Sequence, residues 1–270
     1  MSARIRCRAV FLDAGGVIVL PDRHILARAL KRAGIPIDPD AVPRAHYRAV
    51  RTLDRALDRA PPTRPGTRPP TATRPAPGPT TPPDTGMRTR PPTRTRPPTP
   101  DYAAALFPQL GIVPGRTAEA IAVWERLADR RSAARPLWSE QTPGAAETIA
   151  SLHRAGIAVL IVTNSDGHGE ENLRASGFAD IPVIDSTVVG AAKPDPRIFE
   201  IALALVGVGA IETVHVGDML TADIAGAHAA GITPIHFDPL RACRARDHRH
   251  VSSLAGVWQH IAAPALGKKL

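Results

Sequence analysis

Cysteine is scarce in this chain. Only Cys7 and Cys243 occur in 270 residues, and they lie far apart. A chain of this length can bury a real core without a disulfide framework, so two free thiols in a reducing, cytoplasmic setting are expected. Long apolar runs are missing as well. No stretch approaches the roughly 20 residues of a membrane helix. The short run after Arg4, Arg6 and Arg8 is cut by Asp13 before it reaches signal-peptide length. A soluble protein with no membrane partner is expected.

A net excess of positive charge, too, is small over most of the sequence. Residues 61–100 carry seven arginines against Asp84 alone, net +6 of the formal +9, which leaves only +3 elsewhere. The same segment holds fifteen of the 29 prolines and eleven threonines. It lacks the interleaved aromatics on which nucleic-acid bases stack, so nucleic acid is not the expected partner. Its apolar content is too low to offset ordering entropy, and its prolines forbid helix and sheet ladders. Residues 60–100 therefore read as a disordered Pro/Thr/Arg-rich insertion.

What is present is an alternation of strands and helices. Ala9–Leu12 is an apolar run that ends abruptly in Asp13, Ala14, Gly15 and Gly16, the pattern of a strand buried on both faces. Helical periodicity occupies most of 21–59 and resumes over 102–132 through Leu106, Ile121, Trp124 and Leu127. From Thr142 onward the rhythm changes: Pro143 starts a helix that Gly156 ends, and Thr221 to Ala230 is another, stopped by Gly231. Ile157–Val162 is a buried strand ending in Thr163, Asn164 and Ser165; Thr213–Val216 is another, ending in Gly217 and Asp218; Thr233–Phe237 is the last. This alternation predicts an α/β fold: a Rossmann-like, doubly wound parallel sheet formed by 1–20 and 139–270, with an inserted all-helical unit at 21–138. Open sheets of this kind bind ligands beyond the carboxyl ends of their strands, where Asp13, Thr163 and Asp218 would converge.

The chemistry of those residues is that of a magnesium and phosphate site. Asp13, Asp218 and Asp223 supply hard oxygens of the kind Mg2+ prefers. Thr163 offers a hydroxyl, with the backbone N–H groups of Asn164 and Ser165 behind it. Lys193, in GAAKPDPRIF, supplies a cation to balance phosphate charge.

FLDAGGVIV, IVTNS, KPDPRIF and GDMLTAD, in that order, resemble the four motifs of the haloacid dehalogenase superfamily. The match covers residues 8–20 and roughly 142–237, and the helical segment between the first two motifs looks like the superfamily's C1-type cap. The resemblance implies a hydrolase, a phosphatase acting on a small phosphorylated metabolite with Mg2+ as cofactor. Asp13 would be the nucleophile forming an aspartyl-phosphate and would also bind the metal. Thr163, Asn164 and Lys193 would hold the phosphoryl group, with Lys193 also steadying the nucleophile. Asp218 would be the principal remaining metal ligand, and Asp223 a ligand directly or through water.

One departure stands out. Phosphatases of the superfamily mostly carry a second Asp two residues after the nucleophile, as general acid; here that residue is Gly15. Its carbonyl can still face a metal, but leaving-group protonation, typically worth ~10²–10⁴-fold, has no owner. Asp22, His24 and His46 are the nearby candidates. Two other readings follow: a 2-haloacid dehalogenase, whose chemistry has no use for a metal and against which the intact pair Asp218 and Asp223 argues, and a weakened fold kept for binding.

Cys243, Asp247, His248 and His250 form a further cluster in the order Cys-x₃-Asp-His-x-His. That spacing matches no closed zinc pattern and reads as a turn tied by side-chain hydrogen bonds. Nothing in the sequence fixes an oligomeric state.

Overall fold

The computed structural model describes residues 3–59, 102–129 and 135–264. The Pro/Thr/Arg-rich insertion at 60–100 lies outside them. Among the described residues, no helix is long and apolar enough to cross a membrane.

The core is a six-stranded, wholly parallel sheet. Its strands are β1 (Ala9–Leu12), β4 (Ala158–Thr163), β5 (Val183–Asp185), β6 (Thr213–Gly217), β7 (Thr233–Phe237) and β8 (Arg249–Val251), in the order β5-β4-β1-β6-β7-β8. β1 is central, with Leu12 in register with Ile161 on one side and Val216 on the other. Alternate side chains of β1 enter two separate apolar clusters: Val10 and Leu12 join one, Ala9 and Phe11 the other. That is why the strand reads as an unbroken apolar run, since both faces are covered by helices. The structure is the α/β Rossmann-like sheet that the alternation predicts.

Two short strands, β2 (Val19–Pro21) and β3 (Trp138–Gln141), pair antiparallel where the chain leaves and re-enters the sheet layer. Between them stand α1 (Arg23–Arg32), α2 (Val42–Arg59), α3 (Tyr102–Gln109) and α4 (Pro114–Ala128). These helices have their own apolar cluster, including Leu26, Leu30, Leu106 and Phe107. Trp138 packs against both this cluster and that of the sheet.

Three features differ from the sequence expectation. The helical stretch expected from Thr221 is a wide π-type turn at Leu220–Ile224 followed by a short helix, Ala225–Ala229. The cause is Asp223, whose carboxylate turns back to accept from Met219 N and Lys193 Nζ. β7 is not the last strand: Arg249–Val251 adds an edge strand, with Ile235, His236 and Phe237 in register with Arg249, His250 and Val251. It is too short and too polar for its periodicity to show. Pro143 precedes rather than starts its helix, which runs Ala145–Arg154 after Gly144.

Candidate active site

Asp13 follows β1, Thr163 ends β4 and Asp218 follows β6, so the three share the carboxyl edge of the sheet. Lys193 reaches them from the loop before the helix Arg197–Val206. Its Nζ donates to Asp13 Oδ1 and to Asp223 Oδ1, each at 2.6 Å. The carboxylates of Asp13, Asp218 and Asp223 lie within 4.8 Å of one another, and all three residues are buried. Asp13, Lys193, Asp218 and Asp223, which sequence reasoning grouped together, thus form one buried cluster at the carboxyl edge of the sheet.

The electrostatics follow from placing one ammonium among three buried acids. Burial raises Asp13 above its ordinary 3.8, and Lys193 only partly offsets this. Asp218 rises well above it through burial and the nearby charges of Asp13 and Asp223. Asp223 goes the other way: against its own burial, Lys193 and His215 hold it well below the carboxylate range. Against its burial, Asp13 and Asp223 push Lys193 up to about 12, so it remains an ammonium. Three acids facing one cation suit a hard, oxygen-seeking dication such as Mg2+. The donor set fits the implied metal.

Asp223 is fully engaged by protein donors. Oδ1 also accepts from His215 Nε2 at 2.9 Å and Oδ2 from Met219 N at 3.0 Å. Asn164 is engaged too: its amide makes a reciprocal pair with the backbone of Lys193, Nδ2 to the carbonyl at 2.9 Å and Oδ1 from the N–H at 2.8 Å. The Asn164 side chain therefore fixes the lysine loop rather than facing the acids. Ser165 N donates to Ser186 Oγ at 3.1 Å.

The glycines of the first motif make two different close approaches. Gly16 has φ +83, and a Cβ there would fall 2.1 Å from Asp218 Oδ2 and 2.4 Å from His46 Nε2. Only glycine allows this. At Gly15 a Cβ would meet the Trp138 ring at 3.3 Å, so an indole covers the place of the superfamily's usual acid.

Of the three candidates for that acid, only His46 reaches the site. Asp22 caps α1, accepting from His24 N and Ile25 N, and His24 is exposed. His46, on α2, lies 3.0 Å from Asp218 Oδ2 through Nε2 and 2.7 Å from the Tyr102 hydroxyl through Nδ1. The tautomer satisfying both contacts carries its proton on Nε2. Burial pushes the ring down to about 3, so it is neutral.

Several contributors escaped sequence reasoning. His215 sits inside the apolar strand β6, packed edge-on against Phe199; a histidine within a buried run was the signal. Asp54 accepts from Leu220 N, Thr221 N and Thr221 Oγ1, tying α2 to the turn that carries Asp223. An acid on the apolar face of α2 was its signal. Tyr47, donating to Gly16 O at 2.9 Å, left none.

A parallel sheet with an Asp–Lys–Asp bridge and a third acid at its carboxyl edge is an α/β fold built to handle opposed charges. The chain belongs to the haloacid dehalogenase-like hydrolase family, whose model matches residues 7–231. It is 38% identical over 101 residues to a ribulose-1,5-bisphosphate 5-phosphatase of Halopiger xanaduensis, covering 36% of this chain and 42% of that one. Over 99 residues it is 36% identical to a phosphoserine phosphatase of Thermus thermophilus, covering 36% and 40%. The longest of these alignments, 33% identical over 135 residues, is to haloacid dehalogenase-like hydrolase domain-containing protein 3 of Bos taurus, covering 49% and 52%. The chain thus spans about half or less of the length of these relatives. Among solved structures it resembles the HAD-hydrolase YfnB of Bacillus subtilis, with TM-score 0.58 and 19% identity over 94% of this chain and 98% of that one. A dehalogenase gives TM-score 0.56 at 16% identity, covering 97% and 100%.

Proposed function

We propose that this protein is a magnesium-dependent phosphohydrolase that cleaves a small phosphorylated metabolite through an aspartyl-phosphate on Asp13. The observation that carries the reading is the double bridge of Lys193 to Asp13 and Asp223 beside Asp218. A lysine fixed in this way holds the Asp13 carboxylate in one orientation and stands ready to balance charge on an incoming phosphoryl group. Phosphatase names among the relatives point the same way.

Asp13 and Asp218 would hold the Mg2+ with the Gly15 carbonyl. Asp223, its oxygens taken by Lys193, His215 and Met219, would act on the ion through water. Mg2+ bound there would neutralise phosphoryl charge and align the group for in-line attack. An Asp13 oxygen would bond to phosphorus as the phosphorus–leaving-group bond breaks, and the departing oxygen would take a proton from solvent water. Water next attacks the acyl-phosphate, releasing inorganic phosphate and restoring the carboxylate. Thr163, at the end of β4, would hydrogen-bond the phosphoryl oxygens, with Asn164 acting by positioning Lys193. The helices between β2 and β3 would serve as the cap that excludes water during transfer.

Gly15 narrows the substrate. With an indole over the usual acid's position and His46 neutral, the leaving oxygen gains little help, which favours phosphates with good leaving groups, such as aryl or acyl phosphates. The intact acid cluster argues against the dehalogenase reading. The test is hydrolysis of an aryl phosphate across a Mg2+ titration, wild type beside Asp13→Asn. Metal-dependent turnover abolished by the substitution is expected; turnover in Asp13→Asn equal to wild type would dismiss the mechanism.

A further inference from the structure

A second cluster of metal-ligating side chains lies at the edge of the sheet. His236 is on β7 and His250 on β8, and the two are direct register partners. Cys243 and His248 come from the segment joining those strands. One ligand atom from each of the four lies within 4.8 Å of all the others. Cys243 Sγ and His248 Nε2 are 3.7 Å apart, close to the edge of a zinc tetrahedron with one sulfur, about 3.3–3.7 Å for Zn–N near 2.0–2.1 Å and Zn–S near 2.3 Å.

The hydrogen bonds around the cluster point lone pairs inward. His236 Nε2 faces the carbonyl of Asp218 at 3.3 Å, an acceptor, so the proton is on Nε2 and the lone pair on Nδ1. That Nδ1 is buried without a hydrogen-bond partner among the described residues, as is His250 Nε2. His248 Nδ1 lies 2.7 Å from Asp247 Oδ1, which puts its proton there and its lone pair at Nε2, toward the sulfur. A carboxylate or carbonyl behind a ligating imidazole is the arrangement that orients histidine on zinc.

Topology gives a further reason. Adjacent parallel strands are usually joined through a helix that packs on the sheet. Among the described residues, the link from β7 to β8 contains no helix. Arg241, Arg244, Arg246 and Asp247 are exposed, so little apolar surface pins the link down.

We propose that His236, Cys243, His248 and His250 form a closed tetrahedral zinc site that staples the β7–β8 link to the sheet. Four protein ligands complete the coordination, so the site is structural and leaves no position for a reacting water. A thiolate with three imidazoles selects zinc over the magnesium suited to the acid cluster. The Cys243 proton is released on binding. Sequence spacing missed the site because its fourth ligand, His236, stands outside the run from Cys243 to His250, on a strand brought alongside by the sheet.

The site is tested with full-length protein stripped of metal by a chelator and titrated with Co2+ followed by Zn2+. One Co2+ per chain should bind with the intense visible bands of tetrahedral cobalt and a thiolate-to-cobalt charge-transfer band, all lost when Zn2+ displaces it. Cys243→Ser should abolish the charge-transfer band, whereas Asp218→Asn should keep it. Zn2+ should raise the melting temperature of wild type and not of His250→Gln, a check that does not depend on the cysteine variant folding well. Weak octahedral bands alone, or a Cys243→Ser spectrum identical to wild type, would overturn the assignment.

Discussion

His46 Nε2 lies 3.0 Å from Asp218 Oδ2 although 172 residues separate them in the chain. The contact joins the helical unit to the carboxyl edge of the sheet, and Tyr102 backs it through the other ring nitrogen. A neutral imidazole placed there orients Asp218 and is a poor proton donor. His46→Ala should therefore destabilise the protein, since an orphaned buried partner costs about 1–3 kcal/mol, while kcat on an aryl phosphate falls less than about tenfold. Thermal melts and steady-state kinetics read the two effects. A drop of ~10²-fold or more with the high-pH limb of the profile lost would instead make His46 the general acid.

The two glycines of the first motif should respond in opposite ways. Gly16→Ala drives a methyl into Asp218 and His46 at a positive φ, so soluble yield, stability and turnover should all collapse. Gly15→Asp meets only the edge of Trp138, and the paired change Gly15→Asp with Trp138→Leu makes room for the carboxyl. The pair should raise turnover on alkyl phosphates relative to aryl phosphates. An unchanged ratio would show that leaving-group protonation is not the limit.

Metal and pH should act together. Folding lifts Asp13 and Asp218 above 3.8, so the folded chain holds protons that the unfolded chain has released. Without metal, these two groups weaken stability as pH rises from about 4 through their folded values. Asp223, depressed on folding, contributes stability above its unfolded value, and that is lost as pH falls toward its folded one. Mg2+ binds the ionised carboxylates, so its stabilisation should grow with pH. The gain in melting temperature from saturating Mg2+ should be larger at about pH 7.5 than at about pH 5; equal gains would place the ion elsewhere.

Asp54 offers a test of how the helical unit supports the site. Its carboxylate accepts three donors from the turn that carries Asp223. Asp54→Ala leaves two backbone N–H groups without that partner and should lower stability by about 1–3 kcal/mol. It should also raise the Mg2+ concentration needed for half-maximal activity. An Mg2+ dependence identical to wild type would separate this contact from the metal site.

The sheet was legible because its strands are apolar runs ending in polar residues, a pattern set by burial on both faces. Asp13, Lys193, Asp218 and Asp223 could be grouped because each stands at a strand end or loop before a helix. What sequence left out depends on contacts across the fold. His215 and Asp54 look like interruptions of apolar faces until Asp223 and the 220–221 amides are placed beside them. The edge strand Arg249–Val251 has no periodicity to read, and with it went the pairing of His236 with His250. Gly15 showed that an acid was missing, but only the position of Trp138 shows what stands in its place.

The central claim is that Asp13 carries the phosphoryl group. Rapid quenching of enzyme, Mg2+ and an aryl phosphate, followed by borohydride reduction and peptide mass spectrometry, reads this directly. The account predicts homoserine at position 13 in wild type, absent without substrate and absent in Asp13→Asn. Turnover with no reduced residue at position 13, or a phosphoryl adduct on another side chain, would contradict it.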